Sequence, residues 1–206
     1  MPATRPSLSW LPLALGLCLL THAVSARPAL DYAHAPTMQR LLHWAHFPLR
    51  VFIATHGPAE EQAARGTLAG FDSWGTVTKG VVRYTVVNAP GEADVSVRFV
   101  PGDSLPGRSG VVGLTSVSSV GETLKRATMT LATGAATPEQ VQSVAAHEFG
   151  HALGIEGHSD DSDDLMFPTE VRHFEDGTPV PAPARPITDR DVRTLKACYP
   201  RLFGLP

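Results

Sequence analysis

The stretch from His147 to Ser159, HEFGHALGIEGHS, carries the pattern that decides the fold class. His147 and His151 are four residues apart, so on a helix both imidazoles project from one face, one turn apart. At that separation, two ring nitrogens can bind a single Zn²⁺ at about 2.0–2.1 Å. Glu148 follows the first histidine and can reach a water on the ion without binding the ion itself. The pattern predicts one catalytic zinc ion, with Glu148 as the catalytic base.

The residues before this motif predict the helix on which it lies. Thr137 can cap the helix, Pro138 fits its first position, and Gln140 completes a capping box. We expect the helix to run through His151 and to end near Gly154, where a left-handed residue can terminate it.

A hydrolytic zinc site usually has three protein ligands and one position open to water. Two histidines are therefore not sufficient. Gly154 reverses the chain, and this reversal brings His158 back toward the metal as the third ligand. Met166 follows eight residues later, within Asp164-Leu165-Met166-Phe167-Pro168. Its place after the third histidine predicts a turn that forms a hydrophobic floor for the site.

Together, HEFGHALGIEGHS and DLMFP resemble the signature of the metzincin zinc peptidases, particularly the matrixin-like branch. That signature is His-Glu-x-x-His-x-x-Gly-x-x-His followed by a methionine turn. The resemblance extends more loosely over residues 45–200, including the last helix, ITDRDVRTLKACY. It implies an α+β, zincin-like fold with a mixed, twisted five-stranded sheet, an active-site helix, a methionine turn and a C-terminal helix. It also implies that Asp191 hydrogen-bonds to the methionine turn.

The resemblance further implies a zinc metalloendopeptidase whose polypeptide substrate lies extended along an edge strand at the upper rim of the cleft. By element order, that strand would be Gly110 to Val117. We expect a monomer. The net charge of −3 comes without a basic stripe, which argues against a nucleic-acid partner.

Three features depart from the family pattern. Three residues, rather than two, separate Gly154 from His158. The strict ligand position falls on Gly157, which has no side chain, so His158 is the expected ligand. Gly157 is then expected to absorb the extra residue through an unusual backbone conformation. Arg190 stands where the group often has a second acid, so the family's N-terminal salt bridge is not implied. Residues 107–131 also lack the His and Asp that hold structural zinc and calcium in animal matrixins, which leaves Ca²⁺ possible but unsupported.

The first residues predict export. Arg5 precedes the apolar run Leu11 to Leu20, and Val24-Ser25-Ala26 provides small residues for cleavage after Ala26. The apolar run is shorter than the roughly 20 residues that span a bilayer, so no stable membrane anchor is expected. We predict a signal peptide at 1–26, a short arm or leader at 27–46 and a catalytic domain at 47–206, secreted or periplasmic. Cleavage would remove Cys18, and we expect Cys198 to be a buried structural thiol.

The remaining sequence predicts the order strand, helix, four strands, helix, loop and helix. The composition, with 43% hydrophobic and 18% charged residues, excludes a disordered or multi-pass membrane chain. The predicted elements are strands at 49–54, 81–87, 93–100, 110–117 and 123–131, helices from Pro58 to Trp74 and after Thr137, a Pro-rich loop from Gly177 to Pro186, and a helix opened by Thr188.

Two alternatives remain open from the residues alone. The third ligand could be a carboxylate, either Glu170, nineteen residues after His151, or Asp160. The chain could instead be a non-catalytic metal-binding interaction module, in which the cluster of Asp160, Asp161, Asp163 and Asp164 ligates Ca²⁺.

Overall fold

The fold is taken from a computed structural model, which describes residues 31–108, 110–134, 137–168, 172–173, 179–180 and 183–205. Only the backbone is described for the two short stretches at 172–173 and 179–180. The predicted signal peptide and Glu170 lie outside the described residues.

The described residues form a mixed sheet with three α-helices, as the sequence predicts. The elements are β1 (Leu49–Ile53), α1 (Pro58–Val77), β2 (Tyr84–Val86), β3 (Val95–Val100), β4 (Gly113–Val120), β5 (Thr123–Ala132), α2 (Pro138–Leu153), β6 (Arg172–His173), β7 (Pro179–Val180) and α3 (Asp189–Cys198). The α+β class and the element order are confirmed. Strands β6 and β7 pair with each other in the region between α2 and α3.

The main sheet has five strands in the order β2-β1-β3-β5-β4. Strand β1 pairs in parallel with both β2 and β3, and β3 pairs in parallel with β5. Strand β4 runs antiparallel to β5 and lies at the edge. The mixed five-stranded sheet is therefore confirmed, and the predicted edge strand is at the edge.

Three strands, β2, β3 and β4, begin two or three residues later than the sequence predicts, and for two of them turns use the residues before the strand. The edge strand begins at Gly113 rather than Gly110, since the Leu105 N–H donates to the Val111 carbonyl at 2.7 Å and closes a loop there. Strand β2 begins at Tyr84, because the N–H of Val82 donates to Thr78 Oγ1 at 3.1 Å in the turn that follows α1.

Helix α1 packs tightly against α2 and so holds the helix that carries the motif. A Cβ at Gly70 would lie 2.6 Å from the Gln142 carbonyl oxygen, so the two backbones meet where no side chain fits. The next residue, Phe71, stacks on Phe149 with ring centroids 3.9 Å apart. The Trp74 indole N–H donates to the Ala146 carbonyl at 2.8 Å, so a buried polar group is also satisfied there.

The segment 31–46, which belongs to the predicted arm or leader, packs into the core of the domain. Tyr32, Leu42 and Trp44 are all buried in the main hydrophobic core. The Trp44 indole N–H donates to the Ala152 carbonyl at 2.8 Å, near the end of α2. Isolated bridges such as that between Leu41 and Ile155 hold the segment in place, and such irregular pairing leaves no period in the sequence.

Among the described residues, none of the helices has the length and apolar character needed to cross a membrane.

Candidate metal centre

Helix α2 begins and ends where its sequence predicts. Thr137 Oγ1 accepts a hydrogen bond from the Gln140 N–H at 3.3 Å, and the Thr137 N–H donates to Gln140 Oε1 at 2.7 Å. This reciprocal pair is the predicted capping box. At the other end, Gly154 adopts φ 116°, a left-handed conformation that ends the helix.

The structure brings His147, His151 and His158 together. One ring nitrogen from each lies within 4.8 Å of the others. The ring centroids of the three pairs are 4.8–5.4 Å apart. Within the described ranges, this is the one group of three His, Cys, Asp or Glu side chains that could hold a metal ion. The third histidine thus lies where the sequence predicts, despite the longer spacing.

Backbone carbonyls orient two of these rings. His147 Nδ1 lies 2.7 Å from the Leu165 carbonyl oxygen, and His151 Nδ1 lies 2.7 Å from that of Ile155. Because a carbonyl can only accept, each Nδ1 carries the proton and each Nε2 keeps its lone pair. Such outer partners fix the tautomer of metal-binding histidines. The arrangement leaves two Nε2 atoms ready to bind a metal.

Burial keeps the three imidazoles neutral. Burial, followed by the charge of the neighbouring His151, lowers the pKa of His147 to about 3. Burial followed by His151 lowers the pKa of His158 to about 4, and burial lowers the pKa of His151. Neutral imidazole is the form that binds metal, and three nitrogen donors suit tetrahedral zinc with water in the fourth position. The donor set therefore fits the predicted ion.

Glu148 is buried beside the first histidine, next to the edge strand. Thr115 Oγ1, on β4, lies 2.7 Å from Glu148 Oε2 and 3.0 Å from the Glu148 carbonyl oxygen. A Cβ at Gly113, also on β4, would lie 2.6 Å from Glu148 Cγ and Oε1. Burial raises the pKa of Glu148 to about 7, although the hydrogen bond from Thr115 opposes the shift. Thr115 is not predicted from the sequence, because nothing in the alternation of β4 marks it.

Met166 lies directly beneath α2, fully buried. A Cβ at Gly150, between the two helical histidines, would lie 2.5 Å from Met166 Sδ and 3.2 Å from Trp74 Cζ2. The methionine therefore packs against bare backbone at the centre of the motif. The Met166 carbonyl accepts a hydrogen bond from the Ser159 N–H at 2.9 Å, which ties the turn to the loop of the third histidine.

Asp191, on α3, holds this methionine turn from the other side. Its carboxylate accepts hydrogen bonds from the N–H of Leu165 at 3.0 Å and of Met166 at 3.3 Å. It also accepts from the Tyr32 hydroxyl at 2.6 Å. Asp191 is fully buried, so these donors replace the water that an ionised carboxylate would otherwise need.

Arg190 is bound to the acidic cluster that follows His158. Its guanidinium lies 2.8 Å from Asp160, 2.9 Å from Asp164 and 3.5 Å from Asp161. The Asp160 side chain is 79% exposed and paired with Arg190, and it is not in the group formed by the histidines. The positive charge of the Arg190 guanidinium already balances part of the negative charge of the proposed calcium cluster. Less negative charge is therefore left to attract a calcium ion. Arg190 follows these three aspartates by 26 to 30 positions in the sequence, so no local motif indicates the pairing.

Gly157 accommodates the extra residue differently from the prediction. We expected an unusual backbone conformation, but Gly157 has no positive φ. Instead, a Cβ there would lie 2.2 Å from the Thr37 carbonyl oxygen. The glycine is needed because another segment of backbone approaches it closely, and this contact is invisible to local sequence reasoning.

Buried Cys198 is the free cysteine of the described chain, and burial raises the pKa of its thiol to about 12. A thiol in this state is protonated and unreactive at neutral pH, in agreement with the predicted structural role.

Comparison with known proteins agrees with this geometry. The family model described as Matrixin matches residues 44–199, which is well over half of the chain. No individual curated protein gives a significant match. The matched range includes the three histidines, the methionine turn and α3. The chain belongs to the matrixin family of zinc-dependent metallopeptidases.

Proposed function

We propose that the protein is a secreted endopeptidase that cleaves polypeptides bound in extended form along β4, with Glu148 as the general base. The observation that carries the proposal is the position of the Glu148 carboxylate. Glu148 lies between His147 and His151 in the sequence of α2, and its carboxylate touches Gly113 and Thr115 on the edge strand. A substrate strand beside β4 would therefore pass close to both the base and the metal ligands.

The residues suit hydrolysis of a peptide bond. The three histidines would hold zinc, which when bound supplies a Lewis acid that polarises a carbonyl and lowers the pKa of water. Glu148 accepts a proton from water as the oxygen attacks the scissile carbonyl carbon. The same carboxyl then gives that proton to the departing amine nitrogen as the C–N bond breaks. Water is consumed, and Glu148 returns to its starting state.

The edge position of β4 supports extended binding of the substrate. One side of β4 pairs with β5, and in the described sheet the other side has no strand beside it. Free N–H and C=O groups on an edge strand can pair with an added peptide strand. Backbone pairing would place successive side chains of the substrate alternately toward and away from the protein. Pockets near α2 would therefore determine which substrate side chains are preferred.

Export rests on the predicted signal peptide, cleaved after Ala26. N-terminal sequencing of protein recovered from the culture medium or periplasm tests it. A mature chain that begins at Arg27 is expected, whereas an uncleaved chain retained in the cytoplasm would overturn the prediction.

The direct test of the proposed reaction is Glu148→Gln. This variant keeps the shape of the side chain but cannot accept the proton, so it should bind zinc and lose cleavage of casein or gelatin. Glu139→Gln is a matched control, because Glu139 is an exposed glutamate in the first turn of the same helix. Cleavage by the wild type should stop when a chelator is added and return with zinc.

Full activity in Glu148→Gln would exclude Glu148 as the base. Zinc binding by the wild type without cleavage of any polypeptide would favour the non-catalytic module instead. The carboxylate alternative for the third ligand is tested by zinc stoichiometry in His158→Ala and Glu170→Ala. Loss in the first variant alone is the expected result, and loss in the second alone would reassign the ligand.

A further inference from the structure

The loop that carries His158 lies along an N-terminal segment, residues 37–42, which we call the ligand clamp. The two run in opposite directions, and their contacts follow residue by residue. Ile155 forms an isolated antiparallel bridge with Leu41. Further contacts join Glu156 to Arg40, Gly157 to Met38 and Thr37, and His158 to Thr37. Each residue from the end of α2 to the third histidine therefore touches the clamp.

The contact at His158 is a hydrogen bond to its backbone. Thr37 Oγ1 donates to the His158 carbonyl oxygen at 2.6 Å. The other two histidines lie on a helix, and carbonyls bind their Nδ1 atoms. In the described part of the chain, the His158 ring has no such hydrogen bond. The position of this ring therefore depends more heavily on the position of its backbone.

Two glycines allow the clamp to approach. A Cβ at Gly157 would lie 2.2 Å from the Thr37 carbonyl oxygen, and one at Gly154 would lie 2.1 Å from that of Leu42. Backbone contact at this distance leaves no room for any side chain, and backbone atoms do not move aside as the end of a flexible side chain does. The extra residue before His158 is thus packed against the clamp.

We propose that Thr37 is a positioning residue for the metal ligand His158 and that the clamp is a permanent part of the metal centre. The inference deepens the proposed function and rests on it. It also assigns a role to residues that the sequence suggested were an arm or leader. Partners that orient a metal ligand typically affect metal affinity without contacting the ion.

The test is zinc affinity of the full mature chain, measured by competition with a chromophoric chelator. Thr37→Val removes the hydroxyl and keeps the branched shape, and it should weaken zinc binding about fivefold, as expected for loss of one net hydrogen bond. Thr37→Ser keeps the hydroxyl and should restore wild-type affinity. Thr76→Val is the matched control. Thr76 is also exposed, its hydroxyl donates to the backbone carbonyl of Asp72, and it is distant in the sequence from both the clamp and His158.

A second readout separates positioning from general stability. In the cobalt-substituted protein, Thr37→Val should change the visible absorption spectrum, which reports ligand geometry, while the apo-protein unfolds at nearly the wild-type temperature. Gly157→Ala should weaken zinc binding further. If that variant fails to fold, Thr37→Val still decides the question. Unchanged affinity and spectrum in Thr37→Val would overturn the proposal.

The N-terminus of the active enzyme provides an independent check, and it should lie before Thr37. A fully active, zinc-loaded form that begins after Leu42 would overturn the role of the clamp. Zinc binding without peptide cleavage would contradict the endopeptidase function and leave the affinity comparison intact. A wild-type chain that binds no zinc would overturn both proposals.

Discussion

Thr115 Oγ1 lies 2.7 Å from Glu148 Oε2, so a hydrogen bond joins the edge strand to the carboxylate of the proposed general base. The two residues are separated by 33 positions in the chain. Thr115 also lies 3.0 Å from the Glu148 carbonyl, which belongs to α2. The strand on which we expect the substrate to bind is therefore the strand that contacts the proposed proton acceptor.

We predict that Thr115→Val lowers kcat with little change in KM. Loss of the donor leaves the carboxylate free to rotate away from the direction of attack, and misplacement of a catalytic group by a small distance is costly. A fall of about tenfold is expected, and Thr115→Ser should retain most of the activity because it keeps the hydroxyl. Steady-state kinetics on a fluorogenic peptide measure both constants. An unchanged kcat would show that Thr115 does not orient Glu148.

We predict that Gly150→Ala destabilises the protein, because its Cβ would lie 2.5 Å from Met166 Sδ. Overpacking of a buried contact costs about 1–3 kcal/mol. Gly91→Ala is the control, since a Cβ there meets no atom within 4 Å. Urea unfolding of the metal-free proteins measures the difference. Equal free energies of unfolding for both variants would contradict the close packing of the methionine under α2.

We predict a pH-dependent contribution from Asp94. Burial opposes ionisation of Asp94, but hydrogen bonds from the Arg50 side chain and backbone outweigh it, so the pKa is lowered. A lowered folded-state pKa stabilises the protein above the unfolded value, and this stability is lost as the pH falls through the folded value. Asp94→Asn should therefore cost about 1.5–3 kcal/mol at pH 7, as for a charged hydrogen bond.

The cost of Asp94→Asn should shrink as the pH falls below about 4, because Asp94 of the unfolded chain then binds a proton, and it should be lost below the lowered pKa of the folded state. Urea unfolding at pH 7 and at pH 3 measures it, with Asp163→Asn, an exposed site, as the control. If Asp94→Asn lowers the free energy of unfolding by the same amount at both pH values, the ionised form of Asp94 does not contribute to stability.

We predict that zinc raises the unfolding temperature of the wild type and does not raise that of His151→Ala. A ligand that binds only the folded state stabilises by mass action, by about 2.7 kcal/mol at one hundred times its Kd. His56→Ala is the control, because this histidine lies outside the metal group and its side chain is 80% exposed. Thermal unfolding with and without zinc measures the shift. An equal shift in all three proteins would place the ion elsewhere.

The sequence alone predicted what depends on short-range geometry. The capping box of Thr137 and Gln140, the left-handed end at Gly154 and the shared face of His147 and His151 all follow from the periodicity of a helix. The mixed five-stranded sheet and the edge position of β4 follow from the resemblance carried by the motif. These features involve neighbouring residues or a known family pattern, so they are visible before the chain folds.

Only the tertiary structure decided which distant residues support the site. Thr37 binds the backbone of His158 across 121 positions, and Tyr32 binds Asp191 across 159. No period or local motif encodes such contacts, because they depend on how an irregular segment packs against a finished core. The same reason applies to Gly157. Because this residue has no side chain, the backbone of Thr37 can approach it closely, and only the folding of the rest of the chain brings the two together.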